Sequence, residues 1–131
     1  MIYIIEDNDI MARCIARAAG KGLASKEYSA SEIADLSPRE VKIFHDAFAA
    51  IADLENGLPD LIFLDVLLTG VDGFTLLHEL SSYEDTAAIP VILVTSINIS
   101  GDLSAYGVRG ILHKETMTPE EITAYVKEYA C

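Results

Sequence analysis

DLIFLDVLLTGVDGFTLLHEL, residues 60–80, holds a strand and the start of a helix in one stretch. DLIFLD, Asp60 to Asp65, is a continuous apolar run of strand length, and such a run suits a strand buried on both faces. Beyond it, Asp72 can cap a helix that turns Phe74, Leu77 and Leu80 inward. Outward from this unit the pattern recurs. MIYII (Met1 to Ile5) and PVILVT (Pro90 to Thr95) are further buried-strand runs, a weaker strand is expected near Lys26 to Ala30, and GILHK (Gly110 to Lys114) reads as a fifth.

Helical punctuation fills the gaps. Asp9 can cap a helix running to about Gly20. Ser37-Pro38-Arg39-Glu40 is a capping box, and Val41, Phe44, Phe48, Ile51 and Leu54 behind it recur at helical spacing until Asn56-Gly57-Leu58-Pro59 stops them. Thr118-Pro119-Glu120-Glu121 is a second capping box, ahead of Ile122, Val126 and Tyr129. Residues 96–107 carry few apolar positions and allow only a short or frayed helix. Strands alternating with helices predict an α/β fold, a doubly wound five-stranded parallel sheet with helices on both faces.

The 131 residues, 14.2 kDa, predict a single domain over 1–131 whose folding buries roughly two-thirds of its surface. Hydrophobic residues at 51% exclude a disordered tail. No apolar run reaches the ~20 residues of a membrane span, and MIYIIEDND has no basic segment ahead of its apolar stretch, so no membrane association and no signal peptide are expected. Cys14 and Cys131 are too few for a disulfide framework, which points to the cytoplasm. Twenty-one acids against nine bases give a formal charge of -12. Direct nucleic-acid binding is thereby disfavoured, whereas basic protein partners and cations are favoured.

Ligands of doubly wound sheets sit outside the carboxyl ends of the strands. There the sequence places Glu6, Asp7 and Asp9 after strand one, Asp65 after strand three, Thr95 and Ser96 after strand four, and Lys114 after strand five. An acid following a strand is in most cases a solvated helix cap. Reactive groups at all four strand ends are a different matter, because they converge. Two carboxylates ~4 Å apart repel by about 4 kcal/mol at an effective dielectric of 20, so such a cluster takes up protons or a cation. Oxygen-only ligands select a hard ion such as Mg²⁺. A carboxylate beside Mg²⁺ and a lysine can serve as a covalent acceptor for a phosphoryl group.

On these residues the sequence resembles a response-regulator receiver domain of two-component signal transduction, chemotaxis-regulator-like, over essentially its whole length. The resemblance is carried by Glu6-Asp7 after YII, by LIFLDVLLTGVDG around Asp65, by VILVTS around Thr95 and by ILHK ending in Lys114. It implies flavodoxin-like strand order 2-1-3-4-5 and a non-enzymatic signalling role with only self-directed phosphotransfer and autodephosphorylation. It further implies phosphoryl transfer from a sensor histidine kinase or phosphotransfer protein onto Asp65, giving an aspartyl phosphate. Mg²⁺ would be held by Asp7, Asp65 and the Leu67 carbonyl, with Glu6 acting through water. Thr95, Ser96 and Lys114 would bind phosphate and switch the region of strands four and five. The receiver reading needs a downstream protein target or fused output domain, and a homodimer is open.

Several positions depart from the family pattern. Ile111 stands where an aromatic switch residue is usual, Glu115 and Thr69 stand where prolines are common, and Tyr106 is a nearby aromatic. Asp7 and Asp65 are 58 positions apart, a long separation whose surplus falls around Ser31 to Asn56, whereas the helix between strands four and five is cut short. The resemblance implies that Leu67 and Ile97 flank the acceptor and influence water access; both are apolar, and are expected to slow phosphate loss. His45, His78 and His113 share no metal-ligand spacing; Cys14 is expected to pack inward, and Phe44 and Phe48 to be core.

Three rival readings remain distinct. A haloacid-dehalogenase-like phosphatase would use Asp7-Asn8-Asp9, but no late strand ends in paired acids and Asp65 would be left without a role. A flavodoxin-like anion-binding module would meet repulsion from EDND. A pseudo-receiver acting by protein binding only would not need the complete set of site residues.

Overall fold

The computed structural model describes residues 1–23, 41–68, 73–99 and 101–131. The expected strand at Lys26 to Ala30, the capping box at Ser37 to Glu40 and the Asp72 cap lie outside the described residues.

Five strands, β1 (Ile2–Ile5), β2 (Val41–Phe44), β3 (Leu61–Asp65), β4 (Val91–Thr95) and β5 (Val108–His113), form one all-parallel sheet in the order β2-β1-β3-β4-β5. Side chains of a strand alternate between faces, and the buried residues divide accordingly. Ile2, Ile4, Leu61, Phe63, Ile92, Val94 and Leu112 pack with α1 (Asp9–Leu23) and α5 (Pro119–Tyr129). Tyr3, Ile5, Ile62, Leu64, Val91 and Leu93 pack on the other face with α2 (Ala47–Asp53) and α3 (Gly73–Ser81). The central strands are buried on both faces, which is why they read as unbroken apolar runs.

Several local expectations change. Val41 and Phe44 do not belong to a long helix: Val41–Phe44 is strand β2, and α2 starts only at Ala47, with the Asp46 carboxylate accepting from the Ala49 N–H at 2.8 Å. Phe48 therefore faces solvent, 67% exposed, while small Ala47 and Ala50 make the packed side. Phe44 is partly buried, its ring 4.7 Å from that of Tyr3. Helix α1 runs past Gly20 to Leu23, and its cap is Asn8 rather than Asp9, since the Asn8 Oδ1 accepts from the Met11 N–H at 2.9 Å. Cys14 lies on the exposed side of α1 rather than packing inward. Phe74 is 37% exposed, the inward face of α3 being Gly73, Leu76, Leu77 and Leu80. A four-residue helix, α4 (Glu84–Ala87), precedes β4.

The capping box at α5 forms as read. Thr118 Oγ1 accepts from the Glu121 N–H at 3.3 Å, and Glu121 Oε1 accepts from the Thr118 N–H at 3.0 Å. The shortening between β4 and β5 is also present. Among the described residues of that connection the only helical element is a 3-10 turn at Ser104–Tyr106. Gly107 then takes a left-handed φ of +82° and its carbonyl accepts from the Val91 N–H at 2.9 Å, so β5 starts two residues earlier than expected.

Candidate functional site

In a parallel sheet all carboxyl ends lie on one rim, so the residues ending β1, β3, β4 and β5 are brought together by topology. The Lys114 ammonium sits between two buried carboxylates, donating to Glu6 Oε1 at 3.1 Å and to Asp65 Oδ2 at 2.9 Å. Glu6 and Asp65 are only 1% and 2% exposed. One carboxylate oxygen each of Glu6, Asp7 and Asp65 lies within 4.8 Å of the others, with Asp7 the exposed member.

Each carboxylate is aimed by its own local backbone. Glu6 Oε1 also accepts from the Asn8 N–H at 3.1 Å, and Asp65 Oδ1 accepts from the Leu67 N–H at 2.9 Å. Both are turns in which an acid binds the amide two residues on. The Asp65 turn is tightened by Gly73, whose N–H donates to the Val66 carbonyl at 3.1 Å. A Cβ there would stand 2.6 Å from the Val66 Cα and 2.7 Å from the Asp65 carbonyl oxygen. That contact gives a reason for the glycine eight residues after the acid.

Burial pushes the Glu6 carboxyl up from its ordinary value, the hydrogen bond from Lys114 opposes this, and the neighbouring Asp65 charge adds to the rise. Burial pulls the Lys114 ammonium down, but its bonds to Asp65 and Glu6 outweigh that, and it is held above its ordinary value. Among the described residues, the two buried acids, Glu6 and Asp65, share the single Lys114 ammonium. Glu6 Oε2 lies 2.9 Å from Nζ yet accepts no hydrogen bond, a buried oxygen with a lone pair in hand. Oxygen-only donors with surplus negative charge suit a hard divalent cation, so the residues fit a metal of that class.

Thr95 ends β4 fully buried, its Oγ1 accepting from the Ile97 N–H at 3.1 Å and its carbonyl from the Lys114 N–H at 2.9 Å. Thr95 and Lys114 are thereby tied through the main chain. Ser96 is exposed beyond them. Leu67 and Ile97 are 50% and 40% exposed at the rim, and Ile111 is 39% exposed on β5. Tyr106 is partly buried, edge-on to His78 at 5.0 Å, in a cleft of about 230 Å³ lined with Phe74, Leu77 and Leu103. Two contributors escaped the sequence reading. Asn8 serves both Glu6 and the start of α1, and His45, at the end of β2, places Nδ1 3.1 Å from the Glu6 carbonyl. With β2 read as a helix, nothing in linear spacing pointed to His45.

A doubly wound parallel sheet with three acids, a buried threonine and a lysine on its carboxyl rim defines the class of phosphate-handling signalling domains. The model of the response regulator receiver domain family matches residues 2–127, and the chain belongs to that family. Response regulator PleD of Caulobacter vibrioides is 41% identical over 63 residues, 48% of this chain and 14% of PleD, so the match spans a small part of that relative. Among solved structures, the Mn²⁺-bound form of response regulator Rcp1 is 26% identical with a TM-score of 0.66, covering 97% of this chain and 88% of that one. The phosphorylated cyanobacterial phytochrome response regulator RcpA is 26% identical with a TM-score of 0.68, at the same coverage. The chain is a phosphoacceptor signalling domain of the two-component type, a family that partners with histidine kinases or phosphotransfer proteins. No helix among the described residues is long and apolar enough to cross a membrane.

Proposed function

We propose that Asp65 is the phosphoacceptor of a single receiver domain spanning 1–131, that Glu6, Asp7, Asp65 and the Leu67 carbonyl hold Mg²⁺, and that Thr95, Ser96 and Lys114 receive the phosphoryl group. The observation that carries this reading is the Lys114 ammonium bound to both Glu6 and Asp65, with Asp7 close enough to share an ion with them. When bound, Mg²⁺ supplies charge neutralisation for the transferred oxygens. The residues of the chain do the rest. An Asp65 carboxylate oxygen attacks phosphorus, the P–N bond of a donor phosphohistidine breaks, and the electron pair leaves with the imidazole nitrogen. Phosphorylation turns the Asp65 carboxylate into an acyl phosphate, and the new phosphoryl oxygens become the stronger partner for the Lys114 ammonium. The Thr95 hydroxyl, already accepting from Ile97, keeps its own hydrogen to donate to another phosphoryl oxygen. Because Thr95 and Lys114 are joined through the main chain, this change is passed to the rim of β4 and β5.

In this reading the domain is cytoplasmic, turns over no substrate of its own, and passes its state to a protein target or fused output domain. With Ile111 in the place of the usual aromatic, the response runs through main-chain movement. Leu67 and Ile97 screen the aspartyl phosphate from water. Incubation with acetyl phosphate, with and without Mg²⁺, tests the assignment by intact mass. One phosphoryl group is expected on the wild type with Mg²⁺ and none on Asp65→Asn; a labelled Asp65→Asn would move the acceptor elsewhere. Replacing Leu67 by Asn is expected to shorten the lifetime of the phosphorylated form several-fold, and an unchanged lifetime would remove the water-access role.

A further inference from the structure

The main chain at the end of β1 is held from one side by two consecutive residues of β2 and its exit. The Glu6 N–H donates to the Phe44 carbonyl at 2.9 Å, the last bond of the regular β1–β2 ladder. The next acceptor in line, the Glu6 carbonyl, has passed the end of β2, and the His45 ring takes up the position a strand amide would otherwise occupy, with Nδ1 3.1 Å from that oxygen. A carbonyl oxygen only accepts, so Nδ1 carries the hydrogen. Nε2 faces outward, 3.9 Å from Asp9 Oδ1, beyond hydrogen-bond range. The imidazole is about half exposed and makes no part of either core cluster.

We propose that His45 is a positioning residue for the acidic site: by fixing the Glu6–Asp7 peptide it sets the direction in which the Asp7 carboxylate is delivered toward Asp65. This rests on the metal and acceptor assignment above. The physical need is clear from the burial pattern. Asp7 is the exposed member of the three acids and directly follows Glu6, whose N–H makes the last bond to β2. Its carboxylate must meet two buried ones, so a rotation of the Glu6–Asp7 peptide would carry it off the site. Outer groups that orient ligands in this manner are commonly worth about 10- to 100-fold in metal affinity. His45, half in solvent, belongs at the lower end.

Binding of Mn²⁺ alone, followed by the electron paramagnetic resonance signal of the free ion, tests this with three variants. His45→Ala is expected to weaken binding about tenfold with an unchanged melting temperature. In asparagine the side-chain amide nitrogen falls where Nδ1 of histidine lies, so His45→Asn should restore wild-type affinity. In glutamine the amide reaches the Nε2 position instead, so His45→Gln should behave as alanine does. Amide hydrogen exchange at Asp7 in the metal-free protein should quicken in the alanine and glutamine variants only. With acetyl phosphate, the alanine variant should need about tenfold more Mn²⁺ for half-maximal phosphorylation, with the rate at saturation preserved. Wild-type affinity in His45→Ala, or an asparagine variant as weak as alanine, overturns the positioning role and leaves the acceptor assignment standing. A wild type that binds no Mn²⁺ overturns both.

Discussion

Tyr3 is fully buried yet polar, and its hydroxyl explains a cluster far from the phosphate rim. It donates to Asp53 Oδ2 at 2.7 Å, where Lys42 Nζ also arrives at 2.9 Å, while Asn56 donates to the other oxygen. The hydrogen bonds from Lys42, Tyr3 and Asn56 lower the Asp53 carboxyl from 3.8 to about 2. A depressed folded value contributes stability above the unfolded value, and that contribution fades as pH falls toward the folded one. Wild type should therefore exceed Asp53→Asn in melting temperature at pH 6, and the gap should close between pH 3.8 and about 2; a gap constant with pH would contradict it. Burial, reinforced by Asp53, raises the Tyr3 hydroxyl above its ordinary 10, so the same region should lose stability as pH climbs beyond 10. At the site itself, Gly73→Ala forces a methyl against the Asp65 and Val66 backbone. Overpacking of that kind costs about 1–3 kcal/mol, and it should slow acetyl phosphate labelling as well as lower the denaturation midpoint.

At the level of elements, helix ends were the most legible feature where the cap is local. Thr118 and Glu121 satisfy one another across three residues, which sequence shows directly. Thr118→Ala should cost about 1 kcal/mol in urea denaturation while leaving phosphorylation unchanged, since the hydrogen bonds of its side chain close on Glu121. Element type proved harder around Val41 to Leu54. Val41, Phe44, Phe48, Ile51 and Leu54 share helical spacing, yet β1 claims Val41 to Phe44 as an edge strand and the helix starts after Asp46. Strand pairing with a distant segment overrode a local period, and Phe48, placed by that period in the core, ended in solvent. The same displacement hid His45, because a side chain at a strand end lies beside the next strand's end and a side chain inside a helix does not.

Over the whole molecule, the balance of charge on the rim links folding to metal binding. Removing Lys114 takes away the cation that Glu6 and Asp65 share among the described residues, and breaking a buried pair costs about 3–5 kcal/mol. Lys114→Met should therefore lower the melting temperature sharply in chelator, and Mg²⁺ should recover part of the loss. For the wild type, Mg²⁺ at 100 times its dissociation constant should add about 2.7 kcal/mol, measurable as a rise in melting temperature; no rise would argue against a metal at Glu6, Asp7 and Asp65. The amino-acid sequence by itself determined the alternation of strands and helices, the two-faced burial of β1, β3 and β4, the acids and hydroxyl that end them and the lysine after β5, because hydrophobic period and strand-end chemistry are local properties. The tertiary structure alone decided that β2 begins at Val41, that Lys114 bridges Glu6 to Asp65 rather than standing apart, and that His45 reaches the Glu6 carbonyl. Each of these joins residues tens of positions apart, and such pairings exist only once the sheet has set its register.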